Sequence, residues 1–333
     1  MEKVKEVPYG VADFFEYAPL FTVMEQNLYY VDKTMFIPEL EKQPRNLFFI
    51  RPRRFGKSIF LSMLHSYYDC NQSAKFQSLF GNLWIGQHPT ELQGKYQVLF
   101  LDFSQVSGNI DSLERNFDFY CSVKLDGFMR RYGEAYSEET REKVRKAEYA
   151  MDKLAFIHDE AAQKGFSLYL IVDEYDNFTN TILSSYGQER YREKTHGEGF
   201  IRGFFNNIKD STSNAGAAVE RLFITGVSPI TMDDVTSGFN IGTNISMLPQ
   251  FNDIIGFSED EVREMITYYK DENALPEDVT VDRLVELMKP WYDNYCFSSR
   301  KLEERMFNSD MTLYFLNSYL QQQLPPETMV DNN

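Results

Sequence analysis

Apolar residues recur along this chain in two periods, and the two divide it. Five short continuous runs read as buried strands: Leu47 to Ile50, Gln97 to Phe103, Ser167 to Asp173, Arg221 to Gly226, and Ile245 to Leu248. A run of this kind, bounded by charges or turn residues, fits a strand covered on both faces. Between the runs the spacing turns helical. Phe60, Met63, Leu64 and Tyr67 fall at i, i+3, i+4 and i+7 directly behind the first strand. Residues 111–165 read as helical, with a charged face from Glu138 to Lys146 and apolar Met151, Leu154 and Ala155. Residues 178–219 are polar and glycine-containing, with one helix from Phe200 to Ile208, and are expected to be a mobile insertion.

After Pro249 only the helical period remains. Ser258-Glu-Asp-Glu261 is a capping box ahead of Val262, Met265, Ile266 and Tyr269. Val281, Leu284, Val285 and Met288 predict the next helix, ended by Pro290, and a last one covers Met311 to Gln322. The aromatic stretch Trp291 to Phe297 is expected to pack this bundle. Near the N-terminus, Asp32 or Thr34 is expected to N-cap a short helix through Leu40. The pattern predicts an α/β core over residues 1–249 and a helical lid over 250–333.

Composition narrows the function classes. A chain of 333 residues, 43% hydrophobic and 25% charged, has ample material for a soluble core. Net charge of −16 argues against a general nucleic-acid surface, so any nucleic-acid contact would fall to a region outside this chain. No apolar run approaches the ~18 residues of a membrane span and no secretory leader is visible, so the expected setting is cytoplasmic, with no membrane partner. Cys70, Cys121 and Cys296 are too far apart for metal-ligand spacing and are expected to be reduced thiols.

Against the acidic background, Arg51, Arg53, Arg54 and Lys57 stand out as a basic turn between the first strand and its helix. The stretch ends in Gly56-Lys57-Ser58. Backbone N–H groups of such a turn and of the new helix N-terminus can hold phosphate oxygens. Lys57 can reach terminal phosphates, and the Ser58 hydroxyl can ligate Mg²⁺. The phosphate-loop pattern asks for glycine five residues before Gly56, and Arg51 stands there. The third strand ends in Asp173-Glu174. Asp173 can orient a magnesium shell and Glu174 can polarise a water in line with a terminal phosphate. Asp176 reads as a loop acid before a metal contact. Thr225, at the tip of the fourth strand, reads either as a γ-phosphate sensor or as an ordinary strand former.

These stretches together resemble an AAA-type P-loop ATPase of the additional-strand class. Tyr30-Val-Asp-Lys-Thr34, Arg51-Pro-Arg-Arg-Phe-Gly-Lys57, Phe223-Ile-Thr-Gly226 and Trp291-Tyr-Asp-Asn-Tyr295 resemble, more narrowly, the predicted AAA-ATPase-like family common in anaerobic gut bacteria. In that family the Arg-Pro-Arg-Arg turn itself replaces the first glycine, while Asn294 departs from the usual Trp-Tyr-Asp-Gly-Tyr. The resemblance implies a mainly parallel five-stranded sheet in the order 5-1-4-3-2. It also implies ATP and Mg²⁺ as ligands, with Arg53, Arg54, Phe55, Gly56, Lys57 and Ser58 around the nucleotide and Ser58 and Asp173 on the metal. Glu174, Lys57 and Thr225 are the implied catalytic residues of a hydrolase acting on a phosphoanhydride. Residues 1–45 run directly into the turn and either fold over the base or send Tyr29, Tyr30 and Phe36 into the core. A nucleotide-gated switch with little turnover is the alternative. Many members continue into a PD-(D/E)XK nuclease-like domain that does not fit here, so the chain is expected to be truncated. A homo-oligomer stays open, because such relatives often complete the site with a neighbouring subunit's arginine.

Overall fold

In a computed structural model the residues described are 4–22, 28–109, 111–177, 182, 200–213, 216–228 and 242–331. Strands β1 (Asn46–Ile50), β2 (Gln97–Asp102), β3 (Leu168–Asp173), β4 (Val219–Gly226) and β5 (Thr243–Asn244) form one parallel sheet in the order β2-β3-β4-β1-β5. The 5-1-4-3-2 order expected from the resemblance is therefore the observed one. Helices α1 (Phe14–Thr22), α2 (Phe36–Glu41), α3 (Lys57–Tyr68), α4 (Phe76–Phe80), α5 (Trp84–Gln87), α6 (Leu113–Tyr132), α7 (Glu138–Lys146), α8 (Ala150–Lys164) and α9 (Phe200–Ser213) belong to the same half of the chain. Most of the insertion anticipated between 178 and 219 lies outside the described residues.

β1 to β4 are apolar through their centres because both sheet faces are covered. Side chains alternate across the sheet. Phe48, Leu170, Val172 and Ile224 enter one core with residues of α6, α8 and α9. Leu47, Phe49, Ile171 and Phe223 enter the other, with Leu61 and Leu64 of α3. Register does the rest. Phe49 pairs with Thr225 and Val172 with Ile224, so the tips of β1, β3 and β4 meet at one edge of the sheet.

A third apolar cluster is built by α10 (Glu259–Asp271), α11 (Val281–Tyr292) and α12 (Ser309–Gln322), with the β6 (Asp293–Tyr295) and β7 (Met306–Phe307) ribbon beside them. The capping box is present: the Glu261 N–H donates to Ser258 Oγ and the Ser258 N–H to Glu261 Oε2. Val4, Val7, Tyr29 and Val31 pack against this cluster, so the N-terminal segment bridges the two halves of the chain.

Four expectations are corrected. The fifth strand is Thr243–Asn244, not Ile245 to Leu248. Asn244 Oδ1 accepts the Ser246 N–H at 2.9 Å, which turns the chain out of the ladder. Neither Asp32 nor Thr34 caps α2, whose N-cap position is Met35. Asp32 instead accepts from the Thr34 N–H and hydroxyl and, across 52 positions, from the Trp84 N–H that opens α5. Pro290 does not end α11. It sits in the last turn, where a missing N–H forfeits one helical bond, and the helix runs on to Tyr292. Trp291 does not pack the bundle; it is 55% exposed, while Tyr292 is buried.

Candidate functional site

β1 runs out at Ile50, and the chain crosses to α3 through six residues. Two of them take left-handed backbone angles, Arg54 at φ 67° and Gly56 at φ 85°. Gly56 suits that angle because it has no Cβ, and one placed there would stand 3.4 Å from Ser309 Oγ. Alternation of this kind turns successive N–H groups to one side, and the first N–H groups of α3 have no partner within their own helix. Lys57 folds back over the turn. Its Nζ donates to the carbonyls of Arg51 at 3.2 Å and Pro52 at 3.1 Å and lies 3.6 Å from Glu174 Oε1.

Three elements meet on Asp173, which is 2% exposed at the tip of β3. Its Oδ2 accepts from Ser58 Oγ at 2.9 Å. Its Oδ1 accepts from Thr225 Oγ1 at 2.5 Å and from the Glu174 N–H at 2.9 Å. Thr225 thus holds one carboxylate oxygen of Asp173. Glu174 takes φ 52°, an angle few non-glycine residues hold, and its side chain turns toward Lys57. Burial pushes the Glu174 carboxyl above its ordinary range; Lys57 opposes the shift, while Asp173 and Asp176 add to it. Asp176 is fully buried and accepts from the N–H groups of Val227 and Ser228. It shapes the loop after β4. A Cβ on Gly226 would fall 2.4 Å from the Tyr175 ring and 2.5 Å from Asp176 Oδ1, so only glycine fits beside these acids.

The basic cluster does not stay together. Arg51 is 1% exposed and points away from the turn. Its guanidinium donates to the carbonyls of Ile50, Ser246 and Phe251 and lies between the rings of Phe49 and Phe297. Burial pushes it down to about 9. Arg51, one of the four cations that stand out in the sequence as a basic turn, is thus a buried cation of the core. Arg53 is exposed beside the cleft. Arg54 turns to the C-terminal part of the chain, toward Asp310 and Asp331. Phe55 is fully buried, edge-on to Tyr295 at 4.7 Å and Phe297 at 5.3 Å. It anchors the turn rather than lining it with a polar contact.

A cleft of about 300 Å³ opens over residues 53–60 and Glu174. That volume is at the low end for small-molecule sites. Its far walls are largely apolar and come from both ends of the chain: Val11, Tyr29 and Tyr30 on one side, Ile255, Met265 and Leu313 on the other. Lys33 ties these walls together, with its Nζ at 2.6 Å from Glu261 Oε1 and 2.9 Å from the Asp253 carbonyl. Sequence reasoning missed Lys33, Ser246, Phe297 and Asp331. Only the aromatic stretch ending at Phe297 and the Tyr-Val-Asp-Lys-Thr stretch carried any signal for them. Among the described residues, no helix is long and apolar enough to cross a membrane.

Comparison with known proteins places the chain in a family. The chain is 26% identical over 325 residues to an uncharacterized protein encoded in the vnfD 5′ region of Azotobacter chroococcum mcd 1. The alignment takes in 93% of this chain and 52% of that protein, so the chain spans about half the length of the curated relative it matches. Among solved structures, Cdc6p from Pyrobaculum aerophilum is similar at 10% identity with a TM-score of 0.37, over 87% of this chain and 60% of that one. At that score the likeness carries no weight beside the sheet order itself. A model of the AAA-ATPase_like family, described as predicted AAA-ATPase, matches residues 8–236, which take in the turn at 51–58, the acids at 173–174 and the tip of β4. By that match over 229 of its 333 residues, the chain belongs to the AAA-ATPase-like family of nucleotide-binding P-loop proteins.

Proposed function

We propose that this chain binds ATP with Mg²⁺ and hydrolyses its terminal phosphoanhydride. The observation that carries the reading is the convergence of Ser58, Asp173 and Thr225 within hydrogen-bond distance, one residue from the Lys57–Glu174 contact. Ser58 and Asp173 supply hard oxygen donors 2.9 Å apart and would hold the magnesium ion. When bound, that ion neutralises charge building on the phosphate oxygens. Lys57, drawn off its own backbone carbonyls, contacts phosphate, and the N–H groups of residues 54–58 hold the remaining oxygens. Arg53, exposed beside the cleft, faces the nucleotide, while Arg54 rests on Asp310 and Asp331 in this structure. Glu174 takes a proton from the attacking water. Its raised carboxyl brings it closer to the strength a general base needs at neutral pH. Thr225 positions Asp173. The walls at Val11 and Tyr29–Val31 cover the base. Residues 1–249 act as the nucleotide-holding core and 250–333 as the lid, in a cytoplasmic setting.

The Lys57–Glu174 contact also supports a second reading, a switch that binds ATP and turns it over little, because the base is held by the lysine it must release. Titration calorimetry and phosphate release on wild type, Lys57→Ala and Glu174→Gln separate the two. Lys57→Ala should weaken binding and turnover together. Glu174→Gln should keep ATP affinity and lose roughly 10²–10⁴ in turnover. Wild type that binds ATP yet releases phosphate no faster than Glu174→Gln leaves the switch standing and removes the hydrolase.

A further inference from the structure

The stretch that follows α12 turns back toward the phosphate-binding turn. Gln323 ends the helix at φ 58°. α12 has 14 residues, ~21 Å at the helical rise. The nine residues 323–331 can reach ~30 Å when extended, enough to retrace it. They do so by three ties. Tyr314 Oη donates to the Thr328 carbonyl at 3.3 Å, and Tyr292 Oη to the Met329 carbonyl at 2.5 Å. At the end of the path Asp331, 7% exposed, accepts from Tyr9 Oη at 2.5 Å.

The far side of Asp331 is the phosphate-binding turn. Arg54 Nη1 donates to the Asp331 carbonyl at 2.8 Å and lies 3.7 Å from its Oδ2, while Arg54 Nε lies 3.9 Å from Asp310 Oδ2. The backbone of the same turn is held from α12 as well: the Asp310 N–H donates to the Arg54 carbonyl at 3.2 Å and Asn308 Nδ2 to the Arg53 carbonyl at 3.3 Å. One arginine of a turn built for anions therefore rests on the carboxylates of a segment 256 and 277 positions away.

We propose that Arg54 and Asp331 form a phosphate-sensitive latch, in which a nucleotide phosphate competes with Asp331 for Arg54 and releases the strap 323–331. The contest favours phosphate. Ion pairs at 3.7 and 3.9 Å on an arginine whose side chain is a third exposed are weak, and the 2.8 Å bond to the Asp331 carbonyl is a single one. An arginine on a phosphate gains paired, charge-assisted hydrogen bonds. Reciprocity follows: a strap held down must weaken nucleotide binding by the same factor that nucleotide loosens the strap. The latch rests on the nucleotide reading of the cleft.

The test uses the full chain with a spin label at Val330→Cys in a Cys70→Ser, Cys296→Ser background, leaving the buried Cys121 in place. Mg-ATP should sharpen the label's spectrum. Asp331→Asn should sharpen it without nucleotide and tighten the Mg-ATP Kd by ~3–10-fold, about 0.7–1.4 kcal/mol. Tyr9→Phe, which removes one hydroxyl from Asp331 and leaves the strap's other ties, should fall between and serves if Asp331→Asn folds poorly. Mg-ATP binding with an unchanged spectrum, and equal Kd in wild type and both variants, overturns the latch alone. No Mg-ATP binding at millimolar concentration by any folded variant overturns the nucleotide reading and the latch with it.

Discussion

Replacing Arg51 with methionine tests whether this arginine serves the core or the ligand. The side chain is buried with no carboxylate beside it in the contacts above. Burial pushes the guanidinium from 12.5 down to about 9, so keeping it charged costs ~5 kcal/mol. Three hydrogen bonds from a charged donor offset this by ~5–9 kcal/mol. The rings of Phe49 at 4.4 Å and Phe297 at 4.0 Å add ~1–2 kcal/mol each. Methionine removes cost and gain together and leaves buried carbonyls at Ser246 and Phe251 without that donor. The balance is a loss of about 2–8 kcal/mol, or roughly 3–11 °C in Tm for a chain of this size. Differential scanning calorimetry reads the loss, and titration calorimetry well below Tm reads ATP affinity. Affinity should stay within about threefold for Arg51→Met, whereas Arg53→Met should weaken it further. Wild-type Tm together with lost ATP binding in Arg51→Met would show that the arginine reaches the ligand and that this assignment is wrong.

Three further perturbations have signs set by the structure. Thr225→Val removes the hydroxyl donating to Asp173 Oδ1; it should cost ~1.5–3 kcal/mol in urea unfolding and lower phosphate release more than ATP affinity. Gly226→Ala drives a methyl to within 2.4 Å of the Tyr175 ring and should lower the urea midpoint sharply, an unchanged midpoint being the contrary result. His65 is held down to about 4, first by burial and then by Arg131, with Asp69 opposing. The unfolded chain therefore takes up its proton first as pH falls, so this contribution is whole above pH 6.5 and is lost from there toward pH 4. Between pH 7 and 5 wild type should lose ~2 kcal/mol more than His65→Gln, and parallel losses would refute the assignment.

Strands β1 to β4 were legible because a strand covered on both faces must be apolar at nearly every position, and β3 is buried from Leu168 to Asp173, whereas β5 is the polar pair Thr243–Asn244. Gly56-Lys57-Ser58 and the Ser258–Glu261 box were legible for a related reason. Each works through neighbours within four residues, so its chemistry is written in one short stretch. The family resemblance carried the sheet order, which local pattern alone does not encode.

Besides the bounds of β5 and α11 and the burial of Trp291, what failed were statements about where polar side chains go. Four cations in seven residues look alike from Arg51 to Lys57. Their fates separate because Arg51 finds the Ser246 and Phe251 carbonyls, Arg54 finds Asp331, and Lys57 finds Glu174. Asp32 looked like a helix cap until the fold brought the Trp84 N–H within 2.6 Å. Helix and strand periods follow from local backbone geometry and burial, and a single chain states them. A buried charge must be matched by whatever donor or acceptor the fold delivers, often hundreds of positions away, so that matching is decided only when the chain is packed.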